Sequence, residues 1–418
     1  MADLRAPRGM HDLLPEDEGL FEHVVATATR VARSFDYHLI RTPIVEDASV
    51  FLRTVGDESD IVSKEMYVFE DRGGDRLALR PEGTAGVARA YLEHGMASRP
   101  QPVRLFYWGP FFRYDRPQAG RYRQLHQFGV ECIGDPSPEA DVEVIELQRE
   151  IYRALGLTDL VLRVNSIGTP STRRTYEAAL REHFRPHLAT LSADSRRRFE
   201  TNVLRILDSK EDAAHEAVRT APSILEHLSV EDMAHWDRVC ALLDELDIAY
   251  EVDPSIVRGL DYYTHTVWEF EPRAAGGQST IGAGGRYDGL IETLGGPHTP
   301  GVGWATGLER LMLALGGEAS APSAGLDAIT VPLGASGAAA CARLATALRR
   351  EGLLVRNGTA GRSMRAALRT ADGSGARFAL IIGDREAASG VVQVKPLTGN
   401  GEQSEVPLAE VAARIRAR

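Results

Sequence analysis

The 418-residue chain is long enough for two or three domains, and its 43% hydrophobic and 26% charged residues are those of a globular protein. A net charge of −11 excludes a general nucleic-acid coat, and the lack of an apolar run of about 18 residues excludes a membrane-spanning helix. Three separated cysteines, Cys132, Cys240 and Cys341, form neither a disulfide framework nor a CxxC metal site; with no apolar signal core in MADLRAPRGMHDLLP, a cytoplasmic location is expected.

In chain order, Pro7, Gly9 and Pro15 make a turn-rich lead-in, and Glu18 to Phe35 carries apolar residues at helical spacing. Tyr37 to Val45 reads as a strand which Pro43 confines to an edge or an interface. Met66–Phe69, the Gly73–Gly74 turn and Arg76–Arg80 read as a hairpin. Directly after it, Pro81 and Gly83 break the strand, and Thr84 is expected to cap a helix running to Leu92. Glu82 sits at that strand-to-helix junction; by itself it reads equally well as a solvated acid.

The stretch from Phe106 to Gly134 holds the densest chemistry. Two strand-like runs flank a loop containing Arg113, Asp115, Arg116, Arg121 and Arg123 around Pro117 and Gly120, the pattern of a long-looped hairpin. Alternation puts Gln127, Gly129 and Glu131 on one face. An amide and a carboxylate with a glycine between them suggest a pocket floor, where a ligand takes the space of the missing side chain. The guanidinium groups beside it suggest that the ligand carries phosphate. Arginine abundance alone is no argument, because only Lys64, Lys210 and Lys395 of the 48 basic residues are lysine. Placement is what counts. The chain has no GxxxxGK[ST] loop, so a nucleotide is not held in the Walker manner.

Further on, Pro136 to Leu155 reads as a helix and Leu160 to Ile167 as a strand. Residues 171–247 are helical, polar and arginine-rich, an inserted helical subdomain, and strand patterns return at Ile248. In IVRGLDYYTHTVWEFEP, Arg258, Asp261, Tyr262 and Tyr263 lie between apolar runs of a hairpin-like stretch, and His265 has no assigned role. GAGGRYDGL lacks the third glycine of a dinucleotide loop, since Tyr287 stands there; its glycines are expected to admit a ligand close to the backbone. In GLERLMLAL, Leu308, Leu311, Met312 and Leu315 form a buried helical stripe, and Arg310, off that stripe, reads as a surface residue. Residues 319–325 are a linker by composition. The tail alternates strand and helix (328–333, 337–350, 353–355, 361–371, 378–382, 391–394, 407–416), a small α/β domain with a parallel-type sheet. From Gly325 onward the net charge is +5, which leaves −16 on the rest, so a basic tail could hold a polyanion.

PRGMHDLLP, RPEGTAG, FRYDRPQAGRYRQLHQFGVE, VRGLDYYTHTVWE, GAGGRYDGL and GLERL, in this order, closely resemble histidyl-tRNA synthetase, a class II aminoacyl-tRNA synthetase, from about Arg5 to the C-terminus. The resemblance implies an α+β catalytic domain (residues 1–168 and 248–318) with an antiparallel sheet flanked by helices. It also implies an inserted helical domain (169–247) and, after the linker, an α/β anticodon-binding domain (326–418). The implied enzyme is a homodimer that activates L-histidine with ATP, whose Mg2+ arrives with the nucleotide, and transfers it to tRNA(His). No protein-held metal or prosthetic group and no membrane are implied.

Residue by residue, the resemblance assigns Arg113 and Arg258 to the α-phosphate as catalytic groups, and Arg121 and Arg310 to the outer phosphates. The last assignment replaces the surface reading of Arg310. Asp115 goes to the adenine amino group, although the family often has glutamate there. Glu82, Thr84 and Gln127 are assigned to the α-ammonium of histidine, and Glu131 with Tyr262, Tyr263 and Tyr287 to its imidazole. Gln118 and Arg116 are candidates for the tRNA acceptor end. Arg349, Arg350, Arg356, Arg362, Arg365 and Arg369 are candidates for the anticodon stem-loop. The rival is a catalytically silent paralogue, the histidine-binding regulatory subunit of ATP phosphoribosyltransferase. Such paralogues lack the tail domain and lose phosphate-binding arginines.

Overall fold

A computed structural model describes residues 4–55, 65–207, 209, 211–256, 262–273, 280–316, 325–398 and 401–417. The chain divides into two compact units, Met1–Ala321 and Pro322–Arg418. Among the described residues no helix is long and apolar enough to cross a membrane.

The first unit opens with α1 (Pro15–Ser34). Proline at its start and Glu16, Asp17 and Glu18 in the first turn suit the positive end of the helix dipole. Its buried stripe is Leu20, Val24, Ala28, Val31 and Ala32. Next come β1 (His38–Leu39), β2 (Val45–Asp47), α2 (Ala48–Val55), β3 (Tyr67–Glu70), β4 (Arg76–Leu79) and α3 (Thr84–Glu93). The run expected as one strand from Tyr37 to Val45 is two strands in two sheets: β1 pairs with β5, while β2 pairs with β4. Pro43 lies in the gap, where it has no N–H to give to a ladder. The hairpin β5 (Val103–Phe112) and β6 (Gln124–Ile133) runs antiparallel over its whole length.

After it follow α4 (Pro138–Ala154), β7 (Leu160–Ser166) and the helical segment α5 (Pro170–Phe184), α6 (Ala193–Thr201), α7 (Glu216–Arg219) and α8 (Val230–Glu245). The unit closes with β8 (Glu251–Val252), β9 (Thr264–Pro272), β10 (Gly282–Arg286), α9 (Leu290–Thr293), β11 (Gly301–Gly307) and α10 (Leu308–Ala314). The main sheet has the order β1-β5-β6-β11-β10-β9-β7-β8. Its interior is antiparallel as expected, but both edge pairs, β1 with β5 and β7 with β8, are parallel, so the sheet is mixed.

Alternation along the strands sorts the two faces. Phe106, Phe128, Val130, Cys132, Trp268 and Trp304 face one core, shared with α1, α4, α8 and α10. Leu105, Tyr107, Tyr263, Val267 and Tyr287 face the other, shared with α3, α9 and α5. The helical segment therefore contributes to both cores. Polar Gln127 and Glu131 share the α3 side.

The second unit contains β12 (Ala328–Pro332), α11 (Gly334–Arg350), β13 (Val355–Arg356), α12 (Met364–Asp372), β14 (Phe378–Ile382), α13 (Asp384–Ser389), β15 (Val391–Pro396), β16 (Ser404–Pro407) and α14 (Val411–Arg416). Its sheet runs β13-β12-β14-β15-β16 and is only half parallel, because β15 and β16 are antiparallel. The six-residue α13, ended by Gly390 at φ 69°, is too short for the crossover that a parallel neighbour requires.

Candidate active site

A cavity of about 400 Å³ opens on the α3 side of the main sheet, between the β5–β6 hairpin, the start of α3 and the strands β10 and β11. Glu82, Thr84, Gln127, Tyr262, Tyr263 and Tyr287 line it, as do Arg113, Asp115, Arg121 and Arg310. Residues expected to hold an amino acid and residues expected to hold phosphate thus share one space. Glu131 lies just behind the wall, fully buried.

The polar floor is built from the α3 junction. Thr84 does not cap the helix: Gly83 is the N-cap residue, and the Glu82 carboxylate accepts from the N–H groups of Thr84 (2.7 Å) and Ala85 (2.8 Å). This frees the Thr84 hydroxyl, which donates to Glu131 Oε1 at 2.7 Å. Tyr107 donates to the same oxygen at 3.2 Å, and Tyr287 to Oε2 at 2.5 Å. Burial pushes the Glu131 carboxyl up to about 8, against the opposing pull of the Tyr287 and Thr84 hydroxyls. Burial also raises Glu82, despite its two backbone N–H partners. The Gln127 side chain is buried, and its Oε1 has no hydrogen-bond partner among the described residues. The floor therefore offers acceptors to a donor-rich ligand.

The space beside Gly129 is not ligand space. A Cβ at Gly129 would lie 2.5 Å from the Tyr107 ring, and one at Gly83 would lie 2.2 Å from it. These glycines make room for an aromatic side chain, and the same holds along β10. A Cβ on Gly285 would meet Tyr263, one on Gly284 would meet Trp268, and one on Gly282 would meet Tyr152. The expectation that the GAGG glycines admit a ligand gives way to tight packing, although Gly282 and Ala283 do border the cavity.

The opposite wall is cationic. Arg113, at the end of the hairpin strand, donates from Nε to the Pro81 carbonyl at 2.8 Å, which ties the hairpin to the α3 junction. Arg121 pairs with Asp115. Arg310 donates from Nε to Gly120 O at 3.3 Å and from Nη1 to Thr280 O, so its surface reading is corrected. Burial lowers the Arg310 pKa, and the positive neighbours Arg121 and Arg113 lower it further. Like charges held together this way gain from a polyanion between them. Gln118 and Arg116 are exposed at the loop tip, where the Gln118 and Arg121 main chains exchange hydrogen bonds at 3.1 and 2.9 Å. The lead-in supports this loop: Gly9 O accepts from Arg123 N at 2.7 Å, and the His11 ring meets Tyr122 edge-on. Arg258 and Asp261 lie outside the described residues.

Tyr107 and Glu309 were not singled out from the sequence. The signal for Tyr107 was its position opposite Gly129 in the hairpin register, an aromatic facing a glycine. Glu309 lines the cavity and accepts from the His126 backbone N–H at 2.9 Å, so α10 is fixed to β6 next to Arg310. In the second unit all six candidate arginines are exposed; Arg349 also donates to the Val355 carbonyl at 2.9 and 2.7 Å and Arg362 to Thr370 at 2.9 Å.

The family model for histidyl-tRNA synthetase matches residues 9–311, and that for an anticodon binding domain matches residues 327–418. A histidine–tRNA ligase of Geobacillus thermodenitrificans is 47% identical over 412 residues, covering 97% of this chain and 96% of that protein. One from Anoxybacillus flavithermus is 46% identical over 407 residues, covering 96% of each. The crystal structure of apo S. aureus histidyl-tRNA synthetase superposes with a TM-score of 0.82 at 37% identity, covering 99% of this chain and 100% of that one.

Proposed function

The chain belongs to the histidyl-tRNA synthetase family, and we propose that its cavity carries out both half-reactions of histidine–tRNA ligation. A carboxylate oxygen of L-histidine attacks the α-phosphorus of ATP. The bond to the bridging oxygen of the β-phosphate breaks, pyrophosphate leaves and histidyl-adenylate remains. A hydroxyl of the 3′-terminal ribose of tRNA(His) then attacks the histidyl carbonyl and AMP leaves.

The first step brings two anions together and builds charge at the α-phosphate, so fixed cations are the main catalytic resource. The observation that carries this reading is the arginine cluster Arg113, Arg121 and Arg310 facing a floor of buried acceptors within one cavity. Arg113 and Arg258 serve the α-phosphate, Arg121 and Arg310 the outer phosphates, and Asp115 the adenine amino group. Magnesium enters with ATP as part of that substrate. Glu82, Thr84 and the unpartnered Gln127 Oε1 receive the α-ammonium. Glu131 reads the imidazole together with Tyr262, Tyr263 and Tyr287. A pocket of buried polar partners rejects amino acids that lack the matching groups by roughly 10⁴-fold.

The anticodon-binding domain implies a tRNA substrate. Arg116 and Gln118 at the loop tip are proposed for the acceptor end, and the exposed Arg349, Arg350, Arg356, Arg362, Arg365 and Arg369 for the anticodon stem-loop. The regulatory-paralogue reading is not favoured, because the anticodon-binding domain is present and the family resemblance runs the full length. A homodimer in the cytoplasm completes the proposal.

The test is histidine-dependent ATP–pyrophosphate exchange, run beside the other amino acids, for the wild-type chain and Arg258→Ala. Exchange with histidine alone that collapses in the variant is the expected result. Absence of exchange together with measurable histidine binding would overturn the ligase reading and leave the arginine roles without support.

A further inference from the structure

A second group of titratable side chains lies buried outside the cavity, where α8 meets the sheet. Asp141 of α4 is fully buried and accepts from Arg286 Nε at 2.8 Å, from Thr266 Oγ1 at 2.5 Å and from His235 Nε2 of α8 at 2.7 Å. The His235 ring stacks on His265, with centroids 4.7 Å apart and planes 27° off parallel. On the other side, His265 Nδ1 faces Asp232 Oδ1 of α8 at 3.5 Å, and neither atom has a hydrogen-bond partner among the described residues. Asp232 is held in turn by the hydroxyls of Thr172 and, at 3.2 Å, Thr169 at the start of α5. Burial, then His235, lowers the pKa of His265, while Asp288, Asp232 and Asp141 pull it back up.

Three features connect this group to the cavity. His265, the second residue of β9, has φ 48°, a left-handed conformation uncommon outside glycine, and it sits in the bulge where the β9–β10 register shifts between Gly285 and Arg286. The bulge lies two residues beyond Tyr263. The His265 backbone is pinned there: its N–H donates to Gly168 O and its carbonyl accepts from Ile167 N, each at 2.8 Å. Finally, Arg286 pairs with Thr264 across the ladder and immediately precedes Tyr287, whose hydroxyl holds Glu131. Both ends of the tyrosine wall thus emerge from one buried network. The left-handed bulge position by itself needs only glycine or asparagine. The imidazole adds the stack on His235 and the approach to Asp232.

We propose that His265 is a positioning residue for the amino-acid pocket: wedged between His235 and Asp232, its ring fixes the β9 bulge from which Tyr262 and Tyr263 enter the cavity wall. Histidine affinity then depends on the helical segment 169–247 through α8. The inference rests on the reading of that pocket as the histidine subsite.

The variant His265→Asn keeps the left-handed bulge and removes the ring, and His265→Gly removes any backbone cost in case the first fails to fold. In pyrophosphate exchange the histidine KM of either variant should rise about tenfold, with the ATP KM and thermal midpoint held near wild type. His235→Asn should act in the same direction, and the double variant should be no worse than the stronger single one, because the two rings act as a unit. A histidine KM within about twofold of wild type, an equal rise in both KM values, or strict additivity in the double variant would overturn the proposal. If the wild type shows no exchange, the ligase reading fails by itself. Calorimetric titration with histidine then decides the inference, which requires weaker binding in His265→Asn and is refuted by unchanged binding.

Discussion

Glu131 holds two opposed demands in one side chain. Hydroxyls from Thr84, Tyr107 and Tyr287 converge on it, which suits an ionised acceptor, yet burial pushes its carboxyl up to about 8. The folded-state value lies above the ordinary 4.5, so the folded chain binds this proton more tightly than the unfolded chain does. Its contribution to stability is therefore fully present below about pH 4.5 and is lost as pH rises through about 8. The thermal midpoint of the ligand-free protein should fall across that window. Glu131→Gln, which cannot ionise, should flatten the profile and weaken histidine binding by at least about tenfold, the cost of a misfit buried partner. Parallel profiles for the two proteins would show that Glu131 is not the titrating group. Arg310 makes the companion case. Nothing in GLERLMLAL separates a surface arginine from a site arginine, because helical spacing reports which residues face the core and says nothing of a hairpin loop arriving at Gly120.

Elements, more than single residues, shape the cavity, and the β5–β6 hairpin does most of it. Its strands were legible because period-two alternation and a Pro/Gly turn are local signals, and the pairing carries Gln127 and Glu131 to the α3 side as alternation requires. What alternation cannot report is which side chain fills the gap over a glycine. Tyr107 lies directly across from Gly129 and enters that gap, with Gly83 of the next element closing from above. Gly129→Ala should therefore force the Tyr107 ring off its seat on Glu131. Overpacking of this kind costs about 1–3 kcal/mol. Gly289→Ala is the control, since its Cβ would have no neighbour within 4 Å and it does not line the cavity. Denaturant unfolding and histidine titration should show both losses in Gly129→Ala and neither in Gly289→Ala; equal behaviour of the two would contradict the packing argument. Edge pairings were illegible for a related reason. Strands β1 and β8 are two residues long, and their parallel partners come from distant parts of the chain, so no local period betrays them. In the second unit, the short return through α13 reversed β15, a consequence of connection length that strand pattern alone does not carry.

At the scale of the whole molecule the first unit presents an apolar surface that its own cores leave uncovered. Leu39, Ile44, Val45, Val68 and Phe69 are each 39–42% exposed, and they belong to β1, the Pro43 connection, β2 and β3. Scattered exposed apolar residues need no explanation, but the ladder register puts Val45 and Phe69, with Tyr67 and Leu77, on one face of the small sheet β2-β4-β3, opposite buried Ala78. Two of the strands, β2 and β3, are the edges of a three-stranded sheet, whose free backbone groups invite a partner. A two-fold contact between identical copies would cover both that face and the edges, and it would stay closed where a head-to-tail contact propagates. The protein should therefore scatter light at micromolar concentration with twice its 45.6 kDa chain mass. The pair Val45→Glu and Phe69→Glu places charge on that face without touching a residue that lines the cavity, so it should yield folded monomer with a near-native circular dichroism spectrum. A wild-type mass of one chain would remove the dimer. A double variant that remains dimeric would move the interface to another face of the unit.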